Sequence, residues 1–332
     1  MEKVIAVVVT YNRQTLLSEC VNALRQQTRP LDAILIINNG STDNTPQWLT
    51  QQHDLIFINQ SNTGSSGGFS TGINMAYKEG YSWIWCMDDD GYPKEDALQN
   101  LLDSDDGNIR LLNCAVIDKK DKKSFVWKTL HYRTLEEVDE EIIEGIGHPF
   151  NGTLLHRRII ERVGVPKPKY FLWGDETEYY YRIVKKNNIP VRTIPGSIHY
   201  HPSTAFSIKK DWDYNSAWKM YFYVRNRFHV HCAKFHYKII ALIHYCCFLV
   251  AFAGIVLVYQ KTNRIKKLRF IIWPATDAFT NNFQATPKTV LTKLNSQPIL
   301  SLNKTINDYL KSIWSGLLSP FISQRNRSAA NA

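Results

Sequence analysis

The sequence predicts an α/β protein with a Rossmann-like, mostly parallel sheet flanked by helices and a C-terminal helical, membrane-associating region. Three observations support this fold class. Short apolar runs alternate with helical periodicity over the first hundred residues. One of these runs ends abruptly in the consecutive carboxylates Asp88, Asp89 and Asp90. Later in the chain, the twenty residues 239–258 carry no formal charge.

Four strands are predicted in residues 1–105. The apolar runs 4–9, 34–37, 55–58 and 83–87 form them in order. The predicted helices between them are an amphipathic one after Asn12, a short one opening at Pro46 and one through Ala76 that follows a glycine-rich loop, 59–68. Because parallel strands end at the same edge of a sheet, we expect the loops 10–12, 38–43 and 88–90 to meet there.

The acidic triplet indicates a cation site. Three carboxylates at a strand end repel one another, and Asp88 and Asp90 can present oxygens to one hard ion such as Mg²⁺ or Mn²⁺. A diphosphate would fill the remaining positions of that ion. The alternative is a solvated acidic turn, since Gly91 and Pro93 follow.

Residues 106–210 show a different pattern. Strands are predicted at 109–117, 125–132 and 191–194, and the acidic stretch 136–144 is predicted to be a solvated loop. Residues 150–153 should lead into a short helix that ends at Gly164.

Two further clusters are candidates for chemistry. Trp173 precedes the acids Asp175, Glu176 and Glu178 at a predicted helix start, where a general base beside an aromatic sugar-stacking wall is one interpretation and helix capping is the other. His199 and His201 lie two apart on an extended segment and point to one face, so His199 is a candidate metal ligand; a purely structural role is the alternative.

The charges divide the chain. Residues 1–178 carry 18 Lys and Arg against 26 Asp and Glu, whereas residues 179–332 carry 22 against 4. Such a basic second half indicates a polyanionic partner, either an anionic membrane or nucleic acid. Six cysteines without a C-x-x-C pair fit a reducing cytosol, and no signal peptide is predicted, because residues 1–10 already read as a core strand.

The apolar segment 239–258 favours the membrane over nucleic acid. Basic residues flank it on both sides, whereas a single span should carry its positive excess on one side. We therefore expect an interfacial or shallowly re-entrant helix, with a span and a buried core helix as alternatives. The predicted domains are an α/β domain, 1–210, with halves 1–105 and 106–210; a membrane-associating region, 211–285; and a polar tail, 286–332.

Residues 3–230 resemble the family-2 glycosyltransferases of the GT-A fold, of the bacterial rhamnosyltransferase and galactofuranosyltransferase kind. The resemblance rests on six motifs in the family's order: Val8 to Asn12, Asn39 to Asp43, Asn62 to Phe69, Met87 to Asp90, Trp173 to Arg182, and Tyr223 to Asn226.

The resemblance implies an inverting, metal-dependent transfer from a nucleotide-activated sugar, UDP-galactofuranose or dTDP-rhamnose, to a lipid-linked glycan. It implies Glu176 as the base with Asp175 beside it, and Asp88, Asp90 and His199 as ligands of Mn²⁺ or Mg²⁺. The implied donor-binding residues are Thr10, Tyr11, Asn12, Asn38, Asn39, Ser41, Asp43, Asn62, Gly67, Gly68 and Asp89. The implied acceptor-binding residues are Trp173, Asn151, Gly152, Glu178 and His201.

One departure from the family pattern is Asn38, where many members carry an aspartate that accepts from the base. The expected partners are a nucleotide sugar, a lipid-linked glycan and an anionic membrane surface, not nucleic acid; a homo-oligomer is left open. The expected location is the cytoplasmic face of the bacterial inner membrane. The competing functions are a nucleotidyltransferase, for which residues 7–13 lack a basic glycine-rich signature, and a non-catalytic membrane-bound glycan-binding protein.

Overall fold

The computed structural model describes residues 2–203 and 207–296 and divides into two compact units. Unit 1 comprises Met1–Phe171 and Asp175–Ala205, and unit 2 comprises Leu172–Gly174 and Phe206–Ala332. Of the predicted polar tail 286–332, residues 297–332 lie outside the described residues.

Unit 1 is built on a mixed sheet with flanking helices, as the predicted fold class requires. Its strands are β1 Val4–Thr10, β2 Ala33–Asn38, β3 Ile56–Asn59, β4 Trp83–Asp88, β5 Tyr92–Pro93, β6 Leu111–Asp118, β7 Ser124–Thr129, β8 Tyr132–Thr134, β9 Ile143–Glu144, β10 Asn151–His156 and β11 Val191–His201. Its helices are α1 Gln14–Arg25, α2 Thr45–Thr50, α3 Gly64–Lys78, α4 Ala97–Asp103, α5 Arg157–Val163 and α6 Asp175–Tyr181, which a π-helical turn, Arg182–Lys186, extends.

The strand order is β3-β2-β1-β4-β10-β6-β11-β5. The four strands predicted in residues 1–105 are present and mutually parallel, with Thr10 paired with Asn38 and Val9 paired with Asp88. Their apolar side chains fill both faces of the sheet, which is why the runs read as uninterrupted hydrophobic residues.

Several segments differ from the prediction. The acidic stretch 136–144, expected to be a solvated loop, ends in β9, which pairs with β11 and buries Ile143. Residues 151–156, expected to lead directly into a helix, form β10, which pairs antiparallel with both β4 and β6. The predicted glycine-rich loop is helical from Gly64, because Gly68 and Gly72 let α3 approach β1 closely. A Cβ on Gly72 would lie 2.4 Å from Val7 Cγ1, and one on Gly68 would lie 2.4 Å from Val9 Cγ1.

Unit 2 is helical in its described part. Its helices are α7 Lys219–Lys234, α8 Lys238–Tyr259, α9 Arg264–Lys267, α10 Arg269–Phe279 and α11 Pro287–Ser296. By length and composition alone, α8 could cross a membrane. A buried lysine holds the C-terminal end of α8 in place. Lys267 Nζ donates to Asp211 Oδ1 at 2.7 Å and, at 3.0 Å, to Oε1 of Gln260, the residue that follows α8.

Candidate active site

The polar ends of β1, β2 and β4 meet at one sheet edge, as the strand pattern predicts. Thr10 Oγ1 donates to Asp89 Oδ2 at 2.7 Å, so the end of β1 is tied to the acidic triplet. The Asn12 amide donates to Ser41 Oγ at 2.9 Å, and the Thr42 amide donates to Asn12 Oδ1 at 2.6 Å. Asn12 adopts a left-handed conformation, φ 55°, which its short polar side chain tolerates.

The three carboxylates of the triplet lie in different electrostatic environments. Burial, together with repulsion from Asp90 and Asp89, holds the pKa of Asp88 well above its usual value. Burial also raises the pKa of Asp89, although Arg13 and Thr10 partly offset the effect. For Asp90, burial is outweighed by His201 and Arg13, and the pKa falls to about 2.

His201 faces Asp90 in a way that suits a cation. Its Nδ1 lies 2.8 Å from the Pro202 carbonyl oxygen, which can only accept, so Nδ1 carries the proton. When Nε2 carries a proton it bonds to Asp90 Oδ1, 3.2 Å away, and without that proton its lone pair and the Asp90 oxygen can both bind one divalent ion. Two ligands bound side by side to an octahedral Mg²⁺ at 2.0–2.1 Å are separated by about 3 Å. The pair therefore fits a divalent ion, although no group of three metal-ligating side chains converges within residues 2–203 and 207–296.

His199, the residue expected to bind metal, makes no such contact with the triplet. Its side chain is fully buried, and neither ring nitrogen has a hydrogen-bond partner in the described part of the chain. It packs against two glycines: a Cβ on Gly91 would lie 2.3 Å from His199 Nε2, and one on Gly152 would lie 3.1 Å from His199 Cβ. Burial and nearby His201 lower the His199 pKa to about 3. Of the two histidines on this face of β11, His201 is the one that faces Asp90.

Several residues predicted to bind the nucleotide instead shape the loops. Asn38 is buried, donating to Asn59 Oδ1 at 2.8 Å and accepting from the Ser41 amide at 3.1 Å. Asn39 is also buried and donates to the Gly64 carbonyl at 2.9 Å. Their side-chain groups are committed to these internal bonds, which argues against direct contact with the base.

The other residues predicted to bind the nucleotide sugar lie either at the sheet edge or at the starts of helices. Tyr11 is 46% exposed, and Ser41 accepts from the amide of the next residue, Asn12, at 2.9 Å. Asp43 accepts from the amides of Thr45 at 3.0 Å and Gln14 at 3.3 Å, so it orients both helix starts. Asn62 accepts from the Gly64 amide at 2.9 Å at the start of α3. Gly67 and Gly68 are buried in α3 and serve its packing, contrary to the expected loop role.

The two carboxylates at the start of α6, Asp175 and Glu176, differ in burial. Asp175 is 1% exposed and accepts from Ser65 Oγ at 3.0 Å, while its Oδ1 has no hydrogen-bond partner in the described residues. Burial and the adjacent Glu176 carboxylate raise the pKa of Asp175 well above its usual value. Glu176 is only partly buried and is close enough to Asp88 to contribute to the raised pKa of that residue. Glu176 therefore lies within electrostatic range of the acidic triplet.

Glu178 does not fit the acceptor-binding role predicted for it. Its carboxylate is 3% exposed and is paired with Lys167 Nζ at 2.6 Å and Arg182 Nε at 3.2 Å. Such a buried, doubly paired carboxylate is structural, because releasing it to a ligand would leave two cations uncompensated.

The remaining predicted acceptor residues lie in both units. Asn151 and Gly152 occupy the irregular start of β10, and Asn151 Oδ1 is buried without a hydrogen-bond partner in the described residues. Trp173 belongs to unit 2, where Asn226 Nδ2 donates to its carbonyl and to that of Leu172, both at 2.9 Å. Asn226, in the middle of α7, therefore holds the backbone just before α6.

Sequence reasoning missed three residues near the site. Arg13 Nη1 donates to Asp89 Oδ1 at 3.1 Å and to Asp90 Oδ2 at 2.8 Å. The Trp127 ring lies 5.2 Å from the His148 ring and 5.0 Å from the His201 ring. A signal existed for Arg13, since it directly follows the loop of β1. Trp127 and His148 carry none, because only the fold brings β7 and the turn before β10 to the end of β11.

The known proteins that this chain resembles in sequence include glycosyltransferases. The profile of Glycosyl transferase family 2 matches residues 5–164. Galactofuranosyltransferase GlfT1 of Mycobacterium tuberculosis is 28% identical over 215 residues, covering 60% of this chain and 70% of that protein. The GlfT1 of Mycolicibacterium smegmatis is 29% identical over 216 residues, covering 60% and 71%.

Solved structures support the fold. The crystal structure of S. aureus TarS 1-349 in complex with UDP-GlcNAc matches with a TM-score of 0.52 at 14% identity, covering 94% of this chain and 91% of that one. Against the crystal structure of S. aureus TarS, the match covers 55% of the solved chain, with a TM-score of 0.51. At these identities the likeness establishes the fold alone.

The environment of Asp175 predicts a gain in stability when its charge is removed. An aspartate in the unfolded chain ionises near pH 4, whereas folded Asp175 keeps its proton to higher pH. The native protein therefore loses stability as pH rises above about 4 and through the folded pKa. Asp175→Asn, which keeps an acceptor for Ser65, should raise the melting temperature at pH 8 and raise it less at pH 5.

A matched control is Asp54→Asn. The hydrogen bond from Arg25 is the main cause that lowers the pKa of the exposed Asp54 carboxylate. The charged form of Asp54 therefore stabilises the folded protein, and Asp54→Asn should lose a little stability at neutral pH. A melting temperature for Asp175→Asn that equals the native value at both pH values would contradict the account.

Proposed function

Because this chain is a family-2 glycosyltransferase with a GT-A fold, we propose that it transfers a sugar, with inversion at the anomeric carbon, from a nucleoside-diphosphate donor to a hydroxyl of a lipid-linked glycan. The observation that carries this proposal is the acidic sheet edge of unit 1, where Thr10 Oγ1 donates to Asp89 Oδ2 at 2.7 Å and Asp90 Oδ1 faces His201 Nε2 at 3.2 Å. Glu176, the candidate base, is close enough to this edge to raise the pKa of Asp88. The proposed donors are UDP-galactofuranose and dTDP-rhamnose, and the GlfT1 relatives favour the former.

Glu176 is the proposed general base. It takes the proton of the acceptor hydroxyl while that oxygen attacks the anomeric carbon, and the bond from that carbon to the diphosphate oxygen breaks. Asp175, whose buried carboxyl is held protonated, supports Glu176 from the start of α6 and helps bind the acceptor. Asn151, Gly152 and Trp173 are the other proposed acceptor residues.

The proposed metal ligands are Asp90 and His201, with Asp88 beside them. This assignment replaces His199 by His201 because Asp90 Oδ1 and His201 Nε2 face each other at 3.2 Å. When bound, Mn²⁺ or Mg²⁺ neutralises the charge that develops on the departing nucleoside diphosphate. Thr10, Tyr11, Asn12, Ser41 and Asp43 are the proposed edge of the base and ribose pocket.

Membrane association is proposed through α8. Its buried residues Ala241, Tyr245, Phe252 and Val256 form one stripe, and on the other side Val250 is 73% exposed and Val258 71% exposed. Only 22% of its most apolar window is buried, too little for a core helix. One face packs within unit 2 and the other is open, so we propose that α8 lies along the membrane interface.

The charges around α8 are consistent with an anionic leaflet. Basic side chains follow its C-terminal end at Lys261, Arg264 and Lys266, and one begins it at Lys238. Positive charge at both ends suits a helix that stays on one side of the bilayer. The proposed location is therefore the cytoplasmic face of a bacterial inner membrane.

The base assignment predicts a clear difference between adjacent acids. Glu176→Gln should lower the transfer rate about 10²–10⁴-fold, because the neutral amide cannot take the acceptor proton. Binding of UDP, measured by calorimetry, should be unchanged. Asp175→Asn should lose less than tenfold. If Asp175→Asn abolishes transfer while Glu176→Gln remains active, the base is Asp175.

The metal assignment predicts which histidine matters. Asp90→Asn and His201→Ala should each weaken Mn²⁺ binding in the presence of UDP at least about tenfold, since each removes a ligand and the loss of an outer-shell partner alone costs about 10–100-fold. His199→Ala should bind Mn²⁺ as the native protein does. Mn²⁺ electron paramagnetic resonance measures the bound fraction directly, and circular dichroism checks that each variant is folded. Loss of Mn²⁺ binding in the His199 variant but not in the His201 variant would reverse the assignment.

The membrane proposal predicts release by charge on the open face of α8. Val250→Glu combined with Val258→Glu should lower binding to phosphatidylcholine–phosphatidylglycerol vesicles at least about tenfold, because an acid buried among acyl chains costs roughly 2–3 kcal/mol. Thr50→Glu with Gln51→Glu, both exposed on unit 1, adds the same charge and should leave binding nearly unchanged. Equal cosedimentation of the α8 double variant and the native protein would refute the placement.

A further inference from the structure

Arg13 occupies the acidic edge of the sheet but uses only part of its hydrogen-bonding capacity. Both of its contacts, to Asp89 Oδ1 at 3.1 Å and Asp90 Oδ2 at 2.8 Å, come from Nη1. Its Nε and Nη2 donate to no group in the described part of the chain, and the side chain is 47% exposed. A planar guanidinium with several unused N–H donors and solvent access is suited to bind a second anion.

The two oxygens of Asp90 face different side chains. Oδ1 faces His201 Nε2 at 3.2 Å, whereas Oδ2 accepts from Arg13 at 2.8 Å. A metal ion on the His201 side and the Arg13 guanidinium therefore do not compete for one oxygen. Asp89 and Asp90 orient the Arg13 guanidinium through Nη1. Its Nε and Nη2 remain available to bind a ligand.

The charge balance of the site explains why a second cation is needed. Asp88, Asp89, Asp90 and Glu176 lie close enough to influence one another, and a nucleoside diphosphate would bring further negative charge. One divalent ion cannot offset all of it. Arg13 and His201 are the side chains that pair with the triplet within residues 2–203 and 207–296.

We propose that Arg13 binds the diphosphate of the donor through Nε and Nη2 while Nη1 remains on Asp89 and Asp90. In this role Arg13 stabilises the departing nucleoside diphosphate from the side opposite His201, in addition to the metal ion. The inference rests on the proposed function, since it names a further residue for the same donor.

The proposal predicts effects of opposite sign on two ligands. Arg13→Gln should raise the dissociation constant of UDP or dTDP at least tenfold, both in EDTA and with saturating Mn²⁺, because a charged phosphate contact is lost. The same variant should bind Mn²⁺ alone as tightly as the native protein or more tightly, because a positive charge beside Asp90 has been removed. Arg13→Lys keeps the charge but loses the planar guanidinium, so its nucleotide affinity should lie between those of the native protein and Arg13→Gln.

Isothermal titration calorimetry with UDP, dTDP and Mn²⁺ measures these effects without turnover. Arg25→Gln is the matched control, since Arg25 lies at the other end of α1 and pairs with Asp54 at 2.6 Å; it should change neither ligand. Unchanged nucleotide affinity in Arg13→Gln would overturn the proposal, as would an equal weakening of nucleotide and Mn²⁺, which indicates that Arg13 only holds the acidic loop in shape. If the native protein binds neither nucleotide even with Mn²⁺, the proposed function itself fails.

Discussion

Like charge concentrated at the end of a buried strand is the constraint on which the rest of the site depends. β4 is apolar up to Met87 and then delivers three carboxylates to an edge of the sheet where burial raises the pKa of Asp88 and Asp89. Repulsion of this kind is tolerated only where cations and donors converge. Thr10 and Arg13, beside the end of β1, and His201, at the end of β11, meet this requirement, and we propose that a diphosphate and its metal bind there.

The α6 acids are positioned by close packing against α3. Gly64, at φ 73°, allows the start of α3 to approach Phe171 so closely that a Cβ would lie 1.9 Å from its carbonyl oxygen. The Ser66 amide donates to that carbonyl at 3.2 Å, and Ser66 Oγ donates to the Lys167 carbonyl at 2.6 Å. These contacts fix the segment before α6, so that Asp175 is buried against Ser65 while Glu176 stays partly accessible. The motif around Gly64 thus helps to position the acid that we propose as the base.

The sequence was sufficient for the parts of the fold that follow from local patterning. Apolar runs predicted the first four strands and their common edge, because buried parallel strands have no polar face. β10 was missed because its pairing partners, β4 and β6, are distant in sequence. Its own residues also lack the alternation of polar and apolar side chains that marks a solvated strand. Glu178 and Asn38 were assigned to ligands because sequence shows residue type but not which partners already satisfy them. The choice between His199 and His201 required knowing which ring reaches Asp90.

The central claim is that the acidic edge of the sheet joins a metal ion to a nucleoside diphosphate. Crystals grown with Mn²⁺ and UDP, with diffraction recorded at the manganese absorption edge, test it directly. The account predicts an anomalous peak bonded to Asp90 Oδ1 and His201 Nε2, with the diphosphate completing its coordination. A nucleotide bound at this edge without manganese, or an anomalous peak held by other side chains, would contradict the claim.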